Sequence, residues 1–137
     1  MKKILFTFTM LVVALGASSV LAANTDWEGK YWGDHEGIWA GTLFDDPTGP
    51  DKPHFEGKWA SADEADYGKL FADLKYEGHG IYKVVKGVVY DEKGYLIGTW
   101  DGYFDVNYKP GRAEGTWAEI DATSTQQGKW QGKRILP

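Results

Sequence analysis

The chain has 137 residues, of which 42% are hydrophobic and 15% aromatic, and it carries 20 acidic against 15 basic residues for a net charge of −5, with no cysteine. The acidic balance argues against nucleic acid or an anionic lipid surface as a partner. The missing cysteines exclude disulfides, thiolate metal sites and cysteine nucleophiles. The length suits one domain with a hydrophobic core of its own and is short for two.

Met1, Lys2 and Lys3 make a basic start, Ile4 to Leu15 is an uncharged apolar run, and small residues follow as far as Ala22. The run is too short for a comfortable membrane span and has the order of a secretory signal peptide over 1–22, cut after Ala22. The processed chain would lose two lysines and no acid, moving its charge from −5 to −7, and would be secreted or periplasmic with no membrane span. No cysteine follows the run to carry a lipid.

The stretch 23–35, holding Trp27, Tyr31 and Trp32, shows no clear period and reads as an N-terminal arm or short strand ahead of a single β-domain over 36–137. Alternation begins at Glu36 and runs to Phe44, with Trp39, Gly41 and Leu43 on one face. A proline-rich loop spans 45–53, because prolines remove ladder donors and fix the backbone. The next strand, His54 to Ala60, sets Phe55, Gly57 and Trp59 against Glu56 and Lys58. Ser61-Ala62-Asp63-Glu64 has capping-box spacing and predicts a single helical turn through Tyr67.

Gly68 to Glu77 alternates again, with Leu70, Ala72, Leu74 and Tyr76 on one side. Ile81 to Tyr90 is apolar on both faces, so it is either a strand covered on each side or one bulged near Lys86-Gly87. Asp91-Glu92-Lys93-Gly94 predicts a tight hairpin with a left-handed glycine. The following strand puts Leu96, Gly98, Trp100, Gly102, Phe104 and Val106 on one face. Lys109-Pro110-Gly111-Arg112 predicts a type II turn. Two more strands carry Ala113, Gly115 and Trp117, then Gly128, Trp130 and Gly132.

One spacing recurs throughout. Gly37 and Trp39, Gly57 and Trp59, Gly98 and Trp100, Gly115 and Trp117, and Gly128 and Trp130 are each two apart, which in a strand puts both on one face. An indole on one strand can then lie over a bare α-carbon on its neighbour, and the area buried, roughly 150–250 Å² per ring, outweighs the entropy cost of glycine. The expected fold is all-β, an antiparallel meander of about seven strands. It forms a rolled sheet or small up-and-down barrel with a Trp/Gly core, since an open sheet with that face exposed would aggregate.

Phe55-Glu56-Gly57-Lys58-Trp59 resembles the opening of a MORN repeat, and Gly98-Thr99-Trp100-Asp101-Gly102-Tyr103-Phe104 is similar in kind; the resemblance implies stacked hairpins in a curved sheet. The successive aromatic positions Trp39, Trp59, Tyr82, Trp100, Trp117 and Trp130 are 20, 23, 18, 17 and 13 residues apart, which departs from that family's near-constant period. Strands opening on Gly-x-Trp are also similar to those of lipocalin- and avidin-like barrels. That second resemblance implies a ligand inside the barrel.

Chemistry is sparser. Asp34, His35 and Glu36 adjoin but alternate in direction, and Asp45, Asp46 and Asp51 lack the EF-hand spacing, so no metal site is expected. Asp101 and Asp105 lie four apart on one strand, about 13 Å, too wide for a glycosidase pair. Neither Ser61 nor Ser124 sits in a nucleophile elbow. No catalytic residue and no cofactor are expected. The candidate binding surface is the face opposite the tryptophans, where Tyr95, Thr99, Asp101, Tyr103 and Asp105, joined by Glu114 and Thr116, offer rings and carboxylates suited to a carbohydrate or another envelope or extracellular protein. The functional expectation is an exported, non-enzymatic binding or interaction domain, with a barrel carrying an apolar small molecule as the alternative and a secreted hydrolase third.

Overall fold

Eight strands follow one another antiparallel in chain order, and the last returns to the first. The computed structural model describes residues 24–45, 52–121, 123 and 126–136. In it β1 is Thr25–Gly33, β2 Gly37–Phe44, β3 His54–Ser61, β4 Tyr67–Gly78, β5 Ile81–Asp91, β6 Leu96–Asp105, β7 Arg112–Glu119 and β8 Gln127–Ile135. The ladder from Asp26↔Ile135 to Gly33↔Gly128 closes the barrel. Closure decides between the two sheet forms that the alternation allows, and an open ribbon of stacked hairpins is not the one adopted.

The stretch 23–35 supplies the eighth strand, in place of an arm. Trp27, Gly29 and Tyr31 face inward there, and the glycine weakens the apolar period that would have marked a strand. Gly29 has no room for a side chain, because a Cβ would lie 2.7 Å from both the Trp39 ring and the Gly132 α-carbon.

Two local expectations change, and the alternatives open for Ile81 to Tyr90 are decided. The stretch after Ser61 forms a turn rather than a helical one: the Ser61 hydroxyl donates to Asp63 at 2.6 Å and accepts the Asp66 amide at 3.0 Å, while Glu64 takes a φ of 63°. The link from β6 to β7 is a longer loop with a cis Lys109–Pro110 bond, in place of a type II turn. Strand β5 is bulged. Val85 is skipped between the pairs Asp73↔Lys86 and Leu74↔Val84, and the ladder to β6 breaks between Lys83 and Gly87. The hairpin at 91–94 forms as the sequence predicts, with the Gly94 amide donating to Asp91 O at 3.0 Å and Gly94 at a φ of 88°.

The interior is stratified. At the end where β1 starts and β8 finishes, Trp27, Leu43, Phe55, Leu74, Val84 and Phe104 form a dense plug. Trp27 meets Phe104 edge-on at 5.1 Å and donates its N–H to Thr25 Oγ1 at 2.7 Å. Above it Trp39, Trp100 and Trp130 pack edge to face, with centroids 5.4–5.5 Å apart for the two pairs that involve Trp130. Among the described residues the tryptophans lie inside the barrel, apart from Trp32, which faces outward.

Candidate functional site

The upper half of the barrel is hollow. A cavity of about 770 Å³ opens at the end where β1 passes to β2, β3 to β4, β5 to β6 and β7 to β8. Its deep part is lined by Trp39, Phe55, Trp100 and Trp130, and its walls by Tyr31, Trp59, Leu70, Val89 and Trp117. This volume lies within the range of about 300–1,000 Å³ typical of small-molecule sites.

Cross-strand glycines hold these rings against the wall. Trp59 lies over Gly68 on β4 and donates its N–H to Tyr90 O on β5 at 2.9 Å. Trp117 lies over Gly128 on β8 and donates to Trp32 O on β1 at 3.1 Å. Each indole therefore spans its neighbouring strand and ends on a carbonyl of the one beyond. Flattened in this way, the rings leave the axis of the upper barrel open. Tyr31 stands edge-on to both, 6.3 Å from Trp59 and 6.1 Å from Trp117.

Trp39 departs from this rule. Its ring crosses Gly29 and Gly132, yet its Nε1 is buried with no hydrogen-bond partner. An unpaired buried donor is costly, and this one belongs to a ring that lines the cavity.

The mouth is acidic. The β1–β2 loop brings Asp34 and Glu36, the β3–β4 loop Asp63 and Asp66, the β5–β6 hairpin Asp91 and Glu92, and the β7–β8 end Glu119 and Asp121, while no lysine or arginine is among the described lining residues. Several of these carboxylates have structural partners. Asp34 accepts the Gln127 amide, Asp63 the Ala65 amide and Asp91 the amides of Lys93 and Tyr95. Glu119 lies 3.0 Å from His35 Nε2, and the His35 ring stacks on Trp117 with centroids 6.0 Å apart. The Tyr31 hydroxyl is pushed well above its ordinary range, first by burial and then by the negative charges of Asp66 and Asp63.

None of the seven residues singled out in the sequence lines this cavity. Thr99, Asp101, Tyr103 and Asp105 do share the outer face of β6, and the β7 register sets Thr116 opposite Asp101 and Glu114 opposite Tyr103. Tyr95, 67% exposed, stands apart in the hairpin before β6. The two carboxylates at the far end of this surface already have partners. Arg112 donates to Glu114 at 2.8 and 3.1 Å and holds its carboxyl below the usual range, helped by a hydrogen bond from Tyr103. Asp105 accepts the amides of Asn107 and Tyr108 at the loop that follows.

Among the described residues no three histidine, aspartate or glutamate side chains gather as a metal site would require. Of the loop aspartates, Asp45 accepts a hydrogen bond from the Tyr82 hydroxyl, and Asp46 and Asp51 lie outside the described residues, as does the segment 1–22. The acidic mouth escaped the sequence reading because its four pairs are spread from residue 34 to 121 and meet only through the topology. Carboxylates at every second turn of an alternating chain were the available signal.

The chain matches no family model and no curated protein. Among solved structures it is similar to a de novo designed fluorescence-activating β-barrel, at 15% identity over 85% of this chain and 97% of that one, with a TM-score of 0.46.

Proposed function

We propose that this protein is a non-enzymatic carrier that takes a small, ring-bearing molecule into the upper half of its barrel, and that it works as an exported protein. One observation carries the reading: the cavity of about 770 Å³ walled by Tyr31, Trp59 and Trp117 and floored by Trp39, Trp100 and Trp130. A barrel filled to both ends would have no room for a guest, and the dense plug around Trp27 and Phe104 makes this a cup with one mouth. Indole faces bury flat apolar rings well, and the Tyr31 hydroxyl adds a polar group of the kind that fixes orientation in such sites. The basic and apolar start, Lys2 to Leu15, supports export.

Titration with the neutral probe N-phenyl-1-naphthylamine tests carriage. Saturable one-to-one binding is expected, with probe fluorescence enhanced, indole emission quenched and the melting temperature raised. Leu70→Trp, which fills the hollow from the β4 wall, is expected to abolish binding while the far-ultraviolet spectrum stays that of a β-protein. Binding that does not saturate, or that survives the filled cavity, would defeat the proposal.

A further inference from the structure

We infer that the guest of this cavity is an organic cation, a ring-bearing amine or quaternary ammonium whose rings lie among the indoles and whose charge sits at the mouth; the inference rests on the carrier reading. Four loops each contribute two carboxylates to the lining; no lysine or arginine is among the described lining residues, and the histidine there, His35, lies 3.0 Å from Glu119. Glu36, Asp66 and Glu92 stand out because their side chains have neither a hydrogen bond nor an ion pair among the described residues, and all three are exposed. Their charges are therefore unneutralised. A low-dielectric aromatic wall behind them focuses that field into the opening.

The walls point the same way as the rim. A cation at the neck would lie among the rings of Trp59, Tyr31 and Trp117, the last already carrying the His35 ring on it, and indole is the best of the aromatic partners for a positive charge. Burial, with the charges of Asp66 and Asp63, keeps the Tyr31 hydroxyl neutral. A divalent metal suits the mouth less well, because the acids come in pairs from four separate loops and no three of the described ones converge.

Three pyrenes that share one ring body and differ in charge provide the test: 1-pyrenemethylamine, 1-pyrenemethanol and 1-pyrenecarboxylic acid, followed by quenching of indole emission and sensitised pyrene emission. At about 20 mM salt the amine is expected to bind at least about tenfold more tightly than the alcohol and the acid least tightly, with the gap narrowing at about 300 mM salt as screening grows. In the triple variant Glu36→Gln, Asp66→Asn, Glu92→Gln the amine-to-alcohol ratio is expected to fall towards one, with folding read from circular dichroism. An alcohol or acid that binds as tightly as the amine overturns the cation assignment and leaves carriage standing. A ratio unchanged in the triple variant overturns it as well. Failure of all three pyrenes to bind removes the carrier reading and this inference with it.

Discussion

Trp130 lies directly across the barrel wall from Gly115, covers the next glycine, Gly102, and ends with its N–H on Asp101 O at 2.8 Å. Three strands are thus tied by one side chain, with two bare α-carbons making the room. A Cβ on Gly115 would lie 1.8 Å from Asp101 O and 2.7 Å from both the Gly102 α-carbon and the Trp130 Nε1. Two of these three contacts are to backbone, so the fit cannot relax by turning a side chain. Gly115→Ala is expected to destabilise the protein by about 3 kcal/mol or more. A urea midpoint within experimental error of the parent's would show that the glycine is not required.

Trp39 and Trp130 are each 5% exposed, and each crosses a pair of glycines, but only Trp130 has its N–H satisfied. Replacing either by phenylalanine removes a similar area, so the difference between the two variants isolates the hydrogen bond. Trp130→Phe is expected to cost about 1 kcal/mol more than Trp39→Phe in the ligand-free protein. Equal costs, measured by denaturant unfolding, would mean that the indole bond to Asp101 O adds nothing net.

How much of this was legible beforehand can be read from the same rings. Two-residue spacing placed Trp39, Trp59, Trp100, Trp117 and Trp130 inside a rolled sheet, each expected against a glycine of the adjacent strand. The structure pairs Trp59 with Gly68 and Trp130 with Gly115, and neither glycine is the one in that tryptophan's own Gly-x-Trp step. Closure was not legible, because alternation is the same in an open sheet. Nor was β1, where interior Gly29 and Gly33 thin the apolar signal. The sequence puts Tyr103 and Glu114 on one outer face without fixing their register, which the structure sets as direct partners, and the Arg112 bond that engages Glu114 joins two residues of the same strand face.

Asp26 is buried on the outside of β1 and accepts a hydrogen bond from the Thr42 hydroxyl at 2.7 Å. Burial raises its pKa above the ordinary 3.8, more than the Thr42 bond lowers it. An acid with a raised folded-state pKa penalises the fold above that pKa and ceases to do so below its unfolded value. Asp26→Asn keeps an acceptor for Thr42 without the charge. The variant is expected to be more stable than the parent at neutral pH, with the advantage gone near about pH 3. An advantage of equal size at both pH values would point to a cause other than ionisation.

Tyr31 and Tyr82 both titrate above the ordinary range, each chiefly through burial, with Asp45 accepting from Tyr82 as the next cause. Their folded-state pKa values exceed the unfolded value of 10.0, so this part of the stability is whole below about pH 10 and is lost as pH rises beyond it. In an alkaline titration read at the tyrosinate absorbance, these two of the eight tyrosines are expected to ionise last. Tyr31→Phe should reduce the late-titrating group by one, and an unchanged late amplitude would place the hydroxyl in water.

The ladder that joins β1 to β8 sets Asp26 beside Ile135, at the plugged end and away from the opening. A short linker between the end of β8 and the start of β1 would lie far from any guest. The order of the strands around the wall does not depend on which hairpin is cut, so the chain could be rejoined there and reopened in the exposed β4–β5 turn at His79. Such a circular permutant would keep every indole and every loop of the mouth, and would leave both new chain ends available for fusion partners that do not block access.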